Sequence, residues 1–454
     1  MRFFSIDNAS QNQRIGLESS AMINKTNKTK QTNVSTNQKL PWWRKATRFF
    51  MVMGPGLIVM QADTEAGSIT TASVAGAQYG FELVGMLLML ALPLFLIQEM
   101  TARLGSVTGK GHAFLIRQKY GLGWAWVSLG VLFVCNVAAL VTEFAGIMSA
   151  GNMAHIPPAV SVLVSAALLL TVVMTGKYQT AEYIALVFCL TDLLFIPAAF
   201  MAHPDWGQVF HNSFSFHPEN FNKDYILVVI GLIGAVIMPW MIYYQQSAVV
   251  DKKLTVNDLG LERWDTAIGA VLTEIIMAFI VISTGATLYV NHVSINDASQ
   301  AAQALIPLAG HYAGILFAIG LVSASFLGAF VVAISTAWAF GETFGWSHSL
   351  NHKPHEAKLF YSFYAAGVLI AAIIVLVPNI PLVSITVLVE VGNALLLPIV
   401  LGFLLLLTND KKLLGKHVNN WFTNLFTIGI GAVIVGLGIL SVVMTLFPNW
   451  TPWK

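Results

Sequence analysis

After residue 48, apolar runs long enough to cross roughly 30 Å of hydrocarbon recur along the whole chain. In lipid every backbone N–H and C=O needs an internal partner, so runs of this length admit helices and little else. Eleven helical spans are read, near 49–78, 81–103, 123–150, 158–175, 179–201, 224–248, 265–290, 309–343, 359–378, 383–407 and 421–447. The eighth is long enough to be kinked or tilted. Composition agrees. With 56% hydrophobic and 10% charged residues and a mean hydropathy of +0.71, the chain is not a soluble domain, in which about 25% of residues are charged. Periods typical of solenoid repeats are not seen.

Residues 1–48 differ in kind. They are rich in Asn, Gln, Thr, Ser and Lys and are expected to form a disordered cytoplasmic tail. No apolar stretch with a small-residue cleavage site precedes the first span, so no cleaved signal peptide is expected. Lys and Arg accumulate in cytoplasmic loops, and here they alternate. Lys39, Arg44, Lys45 and Arg48, then Arg103 to Lys119, Lys177, Lys252 to Arg263, Lys353 with Lys358, and Lys411 to Lys416 all fall on one side. Only Lys223 and Lys454 fall on the other, which puts the N-terminus in the cytoplasm and the C-terminus outside. The net charge of +2 therefore reports the bilayer rule and implies no nucleic-acid partner. Trp42 and Trp43 beside Arg44 read as an interfacial anchor. Cys135 and Cys189 lie in apolar spans without metal-ligand spacing and read as small buried residues.

An acid at mid-membrane costs about 2.5–3.5 kcal/mol on insertion scales, so each is a candidate for function. The candidates are Asp63, Glu65, Glu99, Glu143, Asp192, Glu274, Glu342 and Glu390. Glu99 and Glu342 reach the cytoplasmic interface, where Arg103 can pair with Glu99 one turn away. Asp192 and Glu274 fit a neutral hydrogen-bonded acid as well as they fit transport.

Asp63 and Glu65 come as a pair, in "GLIVMQADTEAGSITT". Two residues apart on a helix, side chains point about 200° from each other, whereas extended backbone puts them on one side. Joint action therefore needs an opened helix, and Gly67 is the residue expected to open it. In "GLIGAVIMPWMIYYQQ" Pro239 lacks an amide hydrogen and clashes with the preceding turn, leaving carbonyls near Ala235 free. Two broken helices, each the first of five, are the mark of an inverted-repeat transporter with its site at the midplane. The expected repeats are 49–203 and 224–407, with 421–447 as an additional helix.

"GPGLIVM", "VAGAQYG", "ARLGSVTGKG", "TEFAG" and "AVIMPW" together resemble the NRAMP family of divalent metal transporters, over nearly all of residues 49–447. The resemblance implies an all-α integral membrane protein of LeuT-like 5+5 inverted-repeat fold, with no enzymatic activity and no resident cofactor, the ion being the substrate. The family's Asp-Pro-Gly-Asn motif falls on Glu65, Ala66, Gly67 and Ser68. Glu65 then takes the ligand role of the aspartate, Ser68 offers a hydroxyl, and Asp63 stands where the pattern has no acid. The Ala-x-x-Met-Pro-His pattern falls on Ala235, Met238, Pro239 and Trp240, keeping the Ala235 carbonyl and the Met238 thioether as ligands. A thioether suits transition metals over Ca²⁺ and Mg²⁺.

Three departures concern protons. Trp240 replaces a histidine, Leu140 replaces a third-span aspartate while Glu143 keeps the neighbouring glutamate, and Ile385 stands for a tenth-span glutamine. Glu390 is an added acid. Protons are partners only if Glu143 and Glu390 carry them, and coupling is not carried over. The departures resemble a divergent bacterial branch that includes magnesium transporters. Mg²⁺ prefers carboxylates and keeps waters, which suits Asp63 with Glu65, but Met238 pulls the other way; the expected substrates are Mn²⁺ or Fe²⁺, with Mg²⁺ the close alternative. A bacterial inner membrane is implied by resemblance.

Weaker signals remain. "GSVTGKG" at 105–111 lacks Walker spacing and reads as a cytoplasmic turn. His203, His211 and His217 read as solvated loop residues, and "SASFLGAF" as close helix packing. An amino-acid carrier on the same fold is opposed by the acid pair, which would repel a substrate carboxylate. A non-transporting sensor is the other rival.

Overall fold

The computed structural model describes residues 53–446 apart from 176, 216–221, 294, 296–305, 307–310 and 379–380. The proposed tail with its basic cluster, Trp42, Trp43, His217 and Lys454 lie outside the described residues. Residues 1–49 form one unit and the chain from residue 50 the other; everything below concerns the second.

The described residues form helices and no strand. The first apolar span is two short helices, α1 (Pro55–Gln61) and α2 (Ala66–Tyr79). Then come α3 (Val84–Thr108), α4 (His112–Tyr120), α5 (Leu122–Met153) and α6 (Pro158–Met174). A segment of α7 (Tyr178–Thr191), a 3₁₀ turn (Asp192–Leu194) and α8 (Phe195–Met201) follows, then α9 (Trp206–Ser213). The second half has α10 (Lys223–Val236), α11 (Pro239–Asp251), α12 (Leu259–Thr284) ending in a π turn (Gly285–Tyr289), and α13 (His311–Phe344). It closes with α14 (Lys358–Val375), α15 (Leu382–Thr408), the single turn α16 (Lys411–Leu414) and α17 (Trp421–Leu446).

Nine helices among the described residues are long and apolar enough to cross a membrane, α10 with α11 taken as one. The other two expected spans are the broken α1–α2 and the seventeen-residue α6. The eighth span is one 34-residue helix, α13. Large apolar side chains such as Leu163, Val187, Ile373 and Ile439 face outward, as lipid contact requires. "GSVTGKG" is the end of α3 and a turn in which Gly109 is left-handed (φ 61°), as expected of a turn.

The packing brings helices of the two halves together in equivalent pairs. In the described residues α2 packs on α10, α3 on α12, α5 on α13 and α6 on α14. Close approach depends on small residues. A Cβ on Gly234 would meet the backbone carbonyl of Glu390 and the amide of Ala394, so α10 lies backbone to backbone against α15.

Candidate metal site

The first break is Ala62–Glu65, with Glu65 extended (φ −88°, ψ 175°). It precedes Gly67, which is helical inside α2 and does not open the chain. Gly67 matters for space instead, because a Cβ there would meet the carboxyl oxygens of Glu390 and Glu65. What holds the break open is tertiary. The Thr64 and Thr273 hydroxyls are hydrogen-bonded at 2.8 Å, and Thr273 donates to the Met60 carbonyl at 2.6 Å, tying the break to α12. On the far side the Ala66 amide, first of α2, donates to Glu143 Oε2 at 3.2 Å. A carboxylate at a helix N-terminus meets free amides and the positive end of the dipole.

The second break is Ile237–Met238, with Met238 extended and Pro239 opening α11. Proline has no N–H to lose at that position, so the break falls where it was expected. Ser68 donates its hydroxyl to the Ala235 carbonyl at 2.9 Å, joining the two broken helices directly. Trp240, at the position of the family histidine, donates its indole N–H to Met238 Sδ at 3.0 Å.

Every one of these residues is buried, with Asp63, Glu65, Glu143, Glu390, Ala235, Met238 and Trp240 at 0% exposure. The acids gather together. Glu65 faces Glu143 of α5 and Glu390 of α15, and Asp63 is set against Glu274 of α12 first and then against Glu65 and Glu390. The expected run of extended chain is a turn over Ala62 to Thr64 followed by the extended Glu65, and Asp63 and Glu65 still belong to one cluster of buried acids. Both oxygens of Asp63, Glu65 and Glu274 and one each of Glu143 and Glu390 lack a hydrogen-bond donor. The other Glu390 oxygen accepts from Asn393 Nδ2 at 3.1 Å. Gly328 of α13 leaves room beside Glu143 and Glu65, so the small-residue run serves packing and also borders this cluster.

Two altered family positions lie away from the breaks. Leu140 packs toward Gly367 of α14. Ile385 lines an apolar groove with Cys135 and Leu388, about 140° round the helix from Glu390; the acid that α15 presents is Glu390. Among the described residues no group of three or more His, Cys, Asp or Glu side chains is placed to hold a metal ion. An ion held here would use backbone, hydroxyl or thioether donors and water besides carboxylates.

Sequence reasoning missed the contacts at the start of α1. Asp265 Oδ2 accepts from the Gly54 and Gly56 amides at 3.1 and 2.8 Å. Lys252 Nζ donates to the Met53 carbonyl at 3.0 Å and to Glu182 at 2.5 Å. Their partners lie far along the chain, and no local pattern announces them. The expected pairing of Glu99 is present: Arg103 pairs with it at 3.1 Å, and Arg263 joins at 2.8 Å. Asp192 is buried in the 3₁₀ turn of the fifth span with neither oxygen paired.

Two broken helices joined at a buried polar centre, among helices long and apolar enough to cross a membrane, make a LeuT-like build. The family described as natural resistance-associated macrophage protein-like matches residues 56–444, and the chain belongs to it. It is 23% identical over 412 residues to the divalent metal cation transporter MntH of Caldanaerobacter subterraneus subsp. tengcongensis, covering 88% of this chain and 94% of that protein. To the divalent metal cation transporter MntH of Levilactobacillus brevis it is 24% identical over 437 residues, covering 91% and 92%. Among solved structures it is similar to the Eremococcus coleocola manganese transporter in complex with an aromatic bis-isothiourea substituted compound, with TM-score 0.74, 18% identity, and 93% and 92% of the two chains covered. MhsT in complex with L-phenylalanine matches with TM-score 0.58 at 14% identity, over 86% and 97% of the chains. These structural likenesses carry the fold.

Proposed function

We propose that the chain is a secondary transporter that carries divalent metal cations across the membrane by alternating access. The observation that carries this is the centre itself. Helix breaks at 62–65 and 237–238 are joined through Ser68 and Ala235, beside fully buried carboxyls of Glu65, Glu143 and Glu390 that no Lys or Arg pairs with among the described residues. A buried carboxylate without a basic partner is strongly unfavourable unless a proton or a cation neutralises it. Glu65, Ser68, the Ala235 carbonyl and Met238 are the proposed ligands, with Asp63 a supporting acid on the α12 side. The names of the relatives, divalent metal cation transporter and manganese transporter, support the substrate class. The Met238 thioether favours Mn²⁺ or Fe²⁺; the surplus of carboxylates is what favours Mg²⁺ as the second reading.

The broken helices and their neighbours would rock against the remaining helices, exposing the centre to one side at a time. The repeats are 49–203 and 224–407, and the pairing of α2 with α10, α3 with α12, α5 with α13 and α6 with α14 supports them. The N-terminus lies in the cytoplasm and the membrane is the bacterial inner membrane. Transport is uncoupled or weakly coupled to protons. An indole N–H committed to Met238 replaces an ionisable imidazole, and Leu140 replaces an aspartate, leaving Glu143 and Glu390 as proton carriers if any moves.

Uptake into proteoliposomes tests this. Mn²⁺ and Fe²⁺ should enter faster than into protein-free liposomes, at rates that barely change when an inward proton gradient is imposed. No uptake of Mn²⁺, Fe²⁺ or Mg²⁺ would contradict the transport reading; rates that follow the proton gradient would contradict the uncoupled one.

A further inference from the structure

A second polar concavity lies where α11 and α13 end, on the side assigned to the cytoplasm. It is a cavity of about 300 Å³ whose lining includes Asp251, Lys253, Glu342, His348, Ser349 and His352. We propose that this cavity binds a divalent transition-metal ion, held by Glu342 and His348, as a site separate from the transport centre.

Glu342 is 4% exposed and lines the cavity. Its Oε1 accepts from the Ser247 hydroxyl at 2.5 Å, and its Oε2 has no hydrogen-bond partner. The first amides of α4, at Ala113 and Phe114, also face it. His348 rests on the same helix, against the Cβ position of Gly341. Its Nδ1 lies 2.5 Å from the Trp346 carbonyl. A carbonyl can only accept, so Nδ1 carries a proton and Nε2 is the ring nitrogen left for a metal. A backbone carbonyl fixing one ring nitrogen in this way is what metal-ligating histidines show.

The opposite wall is held in place. Asp251 accepts from the Ser349 hydroxyl and, at 3.0 Å, from the Leu350 amide, anchoring the loop that carries both histidines to the end of α11. Lys253 also lines the cavity, together with the carboxyl groups of Asp251 and Glu342. Two protein donors completed by water make a site of modest affinity. A nitrogen donor beside a carboxylate selects Mn²⁺ or Fe²⁺ over Mg²⁺ and Ca²⁺. The next residue after Asp251 is Lys252, which holds Met53 and Glu182 at the start of α1. The site therefore adjoins the end of the broken helix that must move for an ion to leave.

The test is Mn²⁺ titration of the full chain in nanodiscs, followed by the paramagnetic resonance of free Mn²⁺. The wild type should show two classes of site. In His348→Ala one class should weaken at least about tenfold, since losing even a hydrogen-bond partner of a ligand costs that much, with elution unchanged on size exclusion. In Glu65→Ala the other class should be lost and this one kept. Excess Mg²⁺ should leave the cavity class occupied. A wild type with a single class, lost in Glu65→Ala, or two classes untouched by His348→Ala, would overturn the proposal. Persistence of both classes in Glu65→Ala would instead strike at the transport centre.

Discussion

Glu65→Ala should abolish uptake of Mn²⁺, Fe²⁺ and Mg²⁺ alike, lowering the initial rate in proteoliposomes by at least about a hundredfold, which at about 1.4 kcal/mol per tenfold is roughly 3 kcal/mol. Glu65 is extended at the end of the first break and fully buried, with neither carboxyl oxygen paired to a donor. It also stands between Glu143 and Glu390. Removing it takes away the charge aimed at the centre and relieves repulsion among the acids that remain, so the protein should fold at least as well as the wild type. That separates a lost ligand from a lost fold. Monodisperse, thermally stable Glu65→Ala that transports nothing is the expected result. Stable protein with intact uptake of any of the three ions would place the centre elsewhere.

Met238→Ala should change which ion is carried. The thioether is the one soft donor at the two breaks, and it sits at the extended residue between α10 and α11. Sulfur has lone pairs beyond the one that accepts from Trp240 and can still meet a metal. Its loss should weaken Mn²⁺ uptake by about tenfold, or about 1.4 kcal/mol, while Mg²⁺, which gains little from sulfur, changes far less. Competition of Mg²⁺ against a fixed Mn²⁺ concentration measures the ratio directly. An unchanged ratio would mean that Met238 only fills the core beneath Trp240.

Both breaks could be read from the chain, for different reasons and with different accuracy. At Pro239 the covalent structure decides: the ring cannot donate, α11 starts there, and the break falls just before it. At the first span the residue best able to leave a helix, Gly67, stays in one. The chain opens at Ala62–Glu65 because Thr273 and Glu143, both far away in sequence, supply hydrogen bonds there that a continuous helix would not need. Gly67 is present to let Glu390 and Glu65 approach. Helix propensity sees the first kind of cause and is blind to the second.

The same limit explains the acids. Insertion cost marked Asp63, Glu65, Glu143, Glu274 and Glu390 as residues that need a reason, but spacing could not say which would meet. Register on α15 brings in Glu390 and turns Ile385 away. Glu342, read as an interfacial acid, lies buried against the start of α4 because Gly111 has no side chain to keep it out. Asp265 and Lys252, which hold the start of α1, carry no local signature at all. The wider architecture was plain, since eleven apolar runs and two interruptions at equivalent places leave few alternatives in a bilayer.

The most direct measurement is anomalous scattering at the manganese edge from crystals of the full chain grown with Mn²⁺. A peak between the two breaks, within bonding distance of a Glu65 oxygen and of Met238 Sδ, is expected, and it should vanish in Glu65→Ala. Manganese bound only outside the breaks, or a peak there that survives Glu65→Ala, would contradict a transport centre built on these residues.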